Sequence, residues 1–307
     1  MKVALLGFGT VGKGVYDIIN NELPDIEIKY VMVKDKAKHQ EIKELLIDDF
    51  DIVVQDKEID VVIEVIGGVD YAYQFVKEAL KNKLHVVTAN KALISKCYKE
   101  LEDLAKENNV CLRYEASVGA GIIIIDELKT LAKLNKINKI EGIINGSTNY
   151  ILSKVFNDNY SLEVALKEAQ ELGYIEEDPK DDLDGFDLMR KIHILSTIAY
   201  EKEIEVDSIE RIPFSIITQE DIDSLKKINK MYKYLAKSEY INDKVTIEVK
   251  PVVIEINHKY AKINYEENII DIYGKYHDKQ SFIGKGAGRY PTASAVVYDL
   301  LKIKELK

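Results

Sequence analysis

The stretch Gly173-Tyr174-Ile175-Glu176-Glu177-Asp178-Pro179-Lys180-Asp181-Asp182-Leu183-Asp184-Gly185-Phe186-Asp187-Leu188-Met189-Arg190-Lys191 is the part of this chain richest in groups able to do chemistry. Glu176, Asp181, Asp182 and Asp187 gather enough carboxylates to bind an ammonium group through charge-assisted hydrogen bonds. Asp187 and Lys191 are spaced i,i+4, so on a helix starting near Gly185 both side chains leave the same face. Such a pair is either an ordinary helix-surface salt bridge or a positioned proton carrier, and spacing alone favours the salt bridge. A metal site is a further reading. However, His193 is the one histidine nearby, and packing or capping suits it better.

A second group of residues lies at the start of the chain. Gly7-Phe8-Gly9-Thr10-Val11-Gly12 has G-x-G-x-x-G spacing directly after an apolar run and at the head of a helical pattern. There Gly7 allows the tight turn, Gly9 lets backbone approach a pyrophosphate, and Gly12 lets helix and strand pack closely, with helix-start N–H groups facing the phosphate charge. After the second expected strand come Lys34, Asp35 and Lys36. Asp35 would accept from a ribose 2′-hydroxyl and repel a 2′-phosphate, whereas the lysines would pair with that phosphate, so NAD and NADP both stay open. Gly67-Gly68 and Lys91 end later strands at the sheet edge where a cofactor lies. The run Glu115-Ala116-Ser117-Val118-Gly119-Ala120-Gly121-Ile122 is either a packed loop or a set of carbonyls plus a carboxylate able to hold a hard cation. In Asn145-Gly146-Ser147-Thr148-Asn149, Asn145 or Ser147 reads as a helix cap whose neighbours offer N–H and amide groups to a carboxylate.

The elements that must position these residues follow from hydrophobic period. Strands are expected at 3–7, 27–33, 60–66, 84–88, 110–114 and 137–144, with helices at 11–21, 70–82, 95–107 and 121–134 between them. This is the rhythm of α/β architecture, a doubly wound parallel-sheet (Rossmann) dinucleotide domain. Helices at 147–157, 161–172 and 185–200 and strands at 244–255, 260–264 and 268–273 describe an α+β second domain, before a last helix at 291–301 returns to the first. The expected division is therefore 1–130, completed by 286–307, for the dinucleotide-binding domain. It leaves 131–285 for substrate binding, catalysis and oligomerisation.

Composition narrows the function. A formal charge of −10 argues against a general nucleic-acid binder, because that affinity is mostly cationic neutralisation of phosphates. No apolar run approaches the roughly 18 residues a membrane span needs, and only Cys97 and Cys111 are available for thiol chemistry. A small-molecule substrate and a reducing cytoplasm are expected, with no nucleic acid or membrane as partner. A phosphorylating semialdehyde dehydrogenase would need a nucleophilic cysteine, and neither thiol has a suitable histidine flanking it in sequence.

Taken together, the blocks GFGTVGKGV (7–15), EVIGG (64–68), VVTANKALIS (86–95), YEASVGAGI (114–122), EGIINGSTNYIL (141–152), GYIEEDPKDDLDGFDLMRK (173–191) and GKGAGRYPTASAVVYDLL (284–301) resemble homoserine dehydrogenase along nearly the whole chain. The resemblance implies reversible NAD(P)-dependent interconversion of L-homoserine and L-aspartate 4-semialdehyde. It implies Lys191, Lys91 and Asp187 as catalytic residues and Glu176, Asp182 and Lys91 as substrate ligands. The cofactor contacts implied are Gly7, Phe8, Gly9, Thr10, Val11, Gly12, Lys34, Asp35, Gly67, Lys91 and Gly288. A monovalent cation such as Na⁺ would sit on Glu115 and the carbonyls of Val118, Ala120 and Ile122. Asp35 departs from the cleaner basic signal for NADP that the family often shows. A homodimer or homotetramer is expected. So is a short form lacking a C-terminal ligand-sensing domain, one that threonine would not inhibit through such a domain.

Overall fold

The computed structural model describes residues 1–175 and 178–306 and divides into two compact units, Met1–Ile123 with Gly288–Lys307, and Ile124–Ala287. In the first unit the chain runs β1 (Lys2–Leu6), α1 (Thr10–Glu22), β2 (Glu27–Met32), β3 (Leu46–Ile47), α2 (Asp51–Gln55), β4 (Val61–Glu64), α3 (Asp70–Lys81), β5 (His85–Thr88), α4 (Lys91–Glu107) and β6 (Leu112–Arg113). The strands form one parallel sheet in the order β3-β2-β1-β4-β5-β6, which places the chain reversal between β1 and β4. All four residues of β4, Val61 to Glu64, are buried, as are Val3 to Leu6 of β1. Strands covered on both faces read in this way as apolar runs rather than as alternation.

The second unit runs α5 (Ile125–Leu134), β7 (Ile137–Ile143), α6 (Gly146–Phe156), α7 (Leu162–Glu171), α8 (Lys180–Leu183), α9 (Phe186–Tyr200), β8 (Glu210–Arg211), α10 (Gln219–Lys227), β9 (Lys230–Ile241), β10 (Lys244–Glu255), β11 (Glu267–Gly274) and β12 (Asp278–Lys285). Its mixed sheet has the order β12-β11-β7-β9-β10-β8, antiparallel except where β8 meets β10. The chain then enters α11 (Arg289–Lys304), which returns to the first unit. There Ala293, Val296, Leu300 and Ile303 join Val3, Leu5, Val15 and Ile19 in one core.

Several expectations change. The strand at 137–144 does not continue the parallel sheet; as β7 it lies centrally in the second sheet, antiparallel to β9 and β11. The unit break falls at Ile123/Ile124, so α5 belongs whole to the second unit instead of being cut at 130/131. The strand expected at 260–264 is a 3₁₀ turn, Lys259–Lys262, begun by His258, whose ring accepts the Tyr260 N–H. Strands β9 and β12 were not expected at all. Among the described residues no helix is long and apolar enough to cross a membrane.

Gly142 shows how tightly the second sheet is built. A Cβ there would lie 2.0 Å from the Ile269 carbonyl oxygen on β11. Gly142→Ala should therefore push β7 and β11 apart and cost roughly 1–3 kcal/mol, read as a melting temperature lower by several degrees in calorimetry. An unchanged midpoint would contradict this strand pairing.

Candidate functional site

The first unit carries the glycine turn. Gly7 sits at φ +102°, where an L side chain is strained, and a Cβ on Gly12 would lie 2.2 Å from the Gly7 carbonyl oxygen. A Cβ on Gly9 would meet nothing within 4 Å, so backbone faces open space there. Gly9 is also the N-cap of α1 and supplies no side-chain cap, and no acidic residue occupies the first turn. The first N–H groups of α1 are thus free of a competing carboxylate, which is what a phosphate requires. Phe8 is buried edge-on to Tyr16 and His39. These residues fit a dinucleotide pyrophosphate.

Beyond β2 the charged residues separate. The Lys34 ammonium lies over the Tyr71 ring, 5.4 Å from its centroid. Asp35 accepts the Ala37 N–H at 3.0 Å and so caps its own turn. Lys36 pairs with Asp48 at 2.8 Å, holding that carboxyl below its ordinary range. Lys91 is the first residue of α4, whose N-cap Asn90 accepts the Leu93 N–H. Gly288, at φ +120°, is the N-cap of α11. In the expected cation loop Glu115 is buried, Ala120 is left-handed at φ +48°, and a Cβ on Gly119 would lie 2.3 Å from the Ile122 carbonyl oxygen. Asp299 of α11 ties this loop down, accepting the Glu115 N–H and the Arg113 Nε–H, each at 2.8 Å.

The second unit gathers the acidic motif around one nitrogen. Lys191 is 8% exposed and Asp187 2%, so the i,i+4 pair is buried rather than a surface bridge. The Lys191 Nζ lies 2.9 Å from Asp187 Oδ2 and donates to the Ile144 carbonyl at 2.8 Å. Asn145 joins the cluster from the head of α6. Its Oδ1 accepts the Thr148 N–H, capping the helix, while its Nδ2 donates to Asp182 Oδ1 at 2.6 Å and Asp187 Oδ2 at 2.9 Å. Ser147 donates to the Tyr174 carbonyl, and Tyr174 stacks on Tyr150 with ring centroids 4.4 Å apart. Asp181 turns away to Arg190. Gly185, at φ +77°, starts α9 where a Cβ would lie 2.2 Å from the Tyr234 hydroxyl oxygen. His193 bonds to the Ile204 carbonyl, and burial holds its pKa below the ordinary value, so it packs as expected. Glu176 lies outside the described residues.

Three features escaped the sequence reading. Asn145 was read as a cap, and its simultaneous hold on two carboxylates was not foreseen. Glu64 and Thr88 meet at the carboxyl ends of β4 and β5. Lys233 of β9 is fully buried and donates to Asn149 Oδ1 at 2.8 Å and to the Ile263 carbonyl at 2.6 Å. Asn149 Nδ2 in turn faces the carbonyls of Ile263, Tyr265 and Glu267. A lysine alternating with Met231 and Leu235 on the core face of a strand was the available signal.

Two family models match the chain, "Homoserine dehydrogenase, NAD binding domain" over residues 7–115 and "Homoserine dehydrogenase" over 124–301. The homoserine dehydrogenase of Bacillus subtilis is 38% identical across 99% of this chain and 72% of its own. A homoserine dehydrogenase structure from Thiobacillus denitrificans superposes with a TM-score of 0.93 at 34% identity, covering 100% of this chain and 73% of that one. A hyperthermophilic archaeal homoserine dehydrogenase in complex with NADPH gives 0.84 at 27% identity, over 100% and 98%.

Burial pulls the Lys233 ammonium down to about 7 from 10.5, against a smaller opposing pull from Glu267. Between those values the unfolded chain holds the extra proton, so stability rises with pH. The stability of the wild type relative to Lys233→Met should climb from pH 7 to 9.5, by at most about 1.4 kcal/mol per pH unit. Denaturant titrations giving a pH-independent difference would mean that the ammonium is not buried.

Proposed function

The chain belongs to the homoserine dehydrogenase family and is an NAD(P)-dependent oxidoreductase acting on homoserine, and from that premise we propose which of its residues perform the reaction. The observation that carries the proposal is the buried Lys191–Asp187 pair, fixed by the Ile144 carbonyl and by Asn145. Oxidation of homoserine removes a proton from the C4 hydroxyl as hydride leaves C4, and reduction of the semialdehyde returns both. The nicotinamide, when bound, supplies the hydride chemistry.

Lys191 handles the proton on the reacting oxygen. An ammonium has three N–H groups. Two point to Asp187 and Ile144, and the remaining direction serves the substrate. Asp187 holds the amine in place, being one helical turn earlier on the same face. Asp182 binds the substrate ammonium, a role shared with Glu176, and Asn145 fixes the orientation of the Asp182 carboxylate. The first N–H groups of α6, at Gly146 and Ser147, receive the substrate carboxylate. Lys91 is the second lysine of the reaction, contacting nicotinamide ribose or a substrate oxygen from the head of α4.

Gly7 to Gly12 hold the pyrophosphate, and Gly67 and Gly288 border the cofactor. Of the residues after β2, Lys34 is the candidate for a 2′-phosphate, since Lys36 is paired with Asp48 and Asp35 caps its own turn. This arrangement, with the NADPH complex of the archaeal relative, favours NADP over NAD. Na⁺ is the proposed occupant of Glu115 with the Val118, Ala120 and Ile122 carbonyls. A cytoplasmic homodimer or homotetramer completes the proposal; sedimentation would give the subunit number.

The purified chain should form reduced cofactor from homoserine and consume it with aspartate semialdehyde, with NAD and NADP assayed side by side. Cofactor binding without turnover of either substrate from neutral to alkaline pH would sink the assignment. Lys191→Ala should lower kcat by about 10²- to 10⁴-fold, the usual worth of a positioned proton-transfer group, and leave cofactor affinity intact. A loss below tenfold, with chemistry rate-limiting and circular dichroism unchanged, would reduce Lys191 to a structural ion pair.

A further inference from the structure

Glu64 ends β4 with its side chain fully buried, after three apolar residues, Val61, Val62 and Ile63. A carboxylate tolerates such a place only with donors to match it. Its Oε1 accepts the Ile66 N–H at 2.8 Å, and its Oε2 accepts the hydroxyl of Thr88, the last residue of β5. Thr88 Oγ1 in turn accepts the Asn90 N–H at 3.0 Å. The Asn90 side-chain amide then crosses back, donating to the Gly68 carbonyl at 2.6 Å and the Ile66 carbonyl at 3.3 Å. The bonds close a loop from Glu64 through Thr88 and Asn90 to the turn at 65–68, and back.

That loop lies along the carboxyl ends of two adjacent strands of the parallel sheet. In this architecture ligands bind outside those ends, with one half of a dinucleotide over each half of the sheet. β1 to β3 carry the glycine turn and Lys34, so β4 to β6 are left to the nicotinamide half. The backbone of Gly67 and Gly68 faces open space, and Lys91 follows directly on Asn90.

We propose that Glu64 is a positioning residue for the nicotinamide half of the cofactor, holding the 65–68 and 88–91 turns in register through Ile66 and Thr88 without itself touching the ligand. The proposal rests on the dinucleotide reading of the first unit. Burial pushes the Glu64 carboxyl up to about 7, and the hydrogen bonds from Thr88, Ile66 and Asn90 oppose that rise. The donors that oppose the rise are therefore the same ones that define the two turns.

The test compares wild type, Glu64→Gln and Thr88→Val in the full chain, by calorimetric titration with NADPH and with 2′-phospho-ADP-ribose, which lacks nicotinamide. Glu64→Gln should lose roughly tenfold in NADPH affinity and keep its affinity for the fragment within about twofold. Thr88→Val should show the same selectivity with a smaller loss, and it decides the matter if Glu64→Gln does not fold. Equal losses for both ligands, or none for either, would overturn the proposal. A folded wild type that binds neither NADPH nor NADH would instead overturn the dinucleotide reading on which it rests.

Discussion

An ammonium group taken out of water must be matched on the spot, because burying an unpaired charge costs more than a fold of this size can spare. In the second unit Lys191 makes that demand at the acidic motif, as Lys233 makes it inside β9. Asp187 answers it from one turn earlier on α9. The Ile144 carbonyl answers it from the point where β7 has just ended, so an acceptor that would otherwise continue a strand ladder is turned to the lysine. Asn145, the next residue, caps α6 with its oxygen and ties Asp187 to Asp182 with its nitrogen. One charge thereby sets where β7 stops, where α6 starts and how α8 and α9 face them. Truncating either partner of a buried pair strands the other, so acid and lysine stand or fall together.

Much of this was legible in the sequence, and what was not has physical causes. The parallel sheet could be read because strands covered on both faces are plain apolar runs and the helices between them keep a 3.6-residue period. The pattern at 137–144 is the same whether its partners run parallel or antiparallel, so only tertiary pairing sends β7 to the other sheet. β9 was hidden by Lys233, Lys237 and Glu239, charges that break an apolar run although two of them pair with each other.

The candidate site divides along the same line. Gly7, Gly9 and Gly12 were readable because backbone geometry demands glycine at fixed offsets, and the structure supplies the contacts that exclude a Cβ. The Asp187–Lys191 spacing was readable as well, but its burial was not: an i,i+4 pair looks alike in water and in a core. Glu64 is harder still. Nothing local distinguishes a carboxylate ending a strand in solvent from one sealed against Thr88 and Ile66, since its partners come from a turn and from the neighbouring strand.

The return of α11 has a consequence in time. A ribosome makes residues 1–123 long before 288–307, yet the core of the first unit includes Ala293, Val296, Leu300 and Ile303, and Asp299 supplies the acceptor for Arg113 and for the Glu115 N–H. Until that helix emerges, the nascent first unit exposes an apolar face on α1 and lacks the Asp299 carboxylate that Arg113 and the Glu115 N–H bond to. The second unit, by contrast, is continuous in the chain, Ile124–Ala287. Vectorial synthesis therefore lets the inserted unit mature first, and the segment translated first is the last to acquire its finished core.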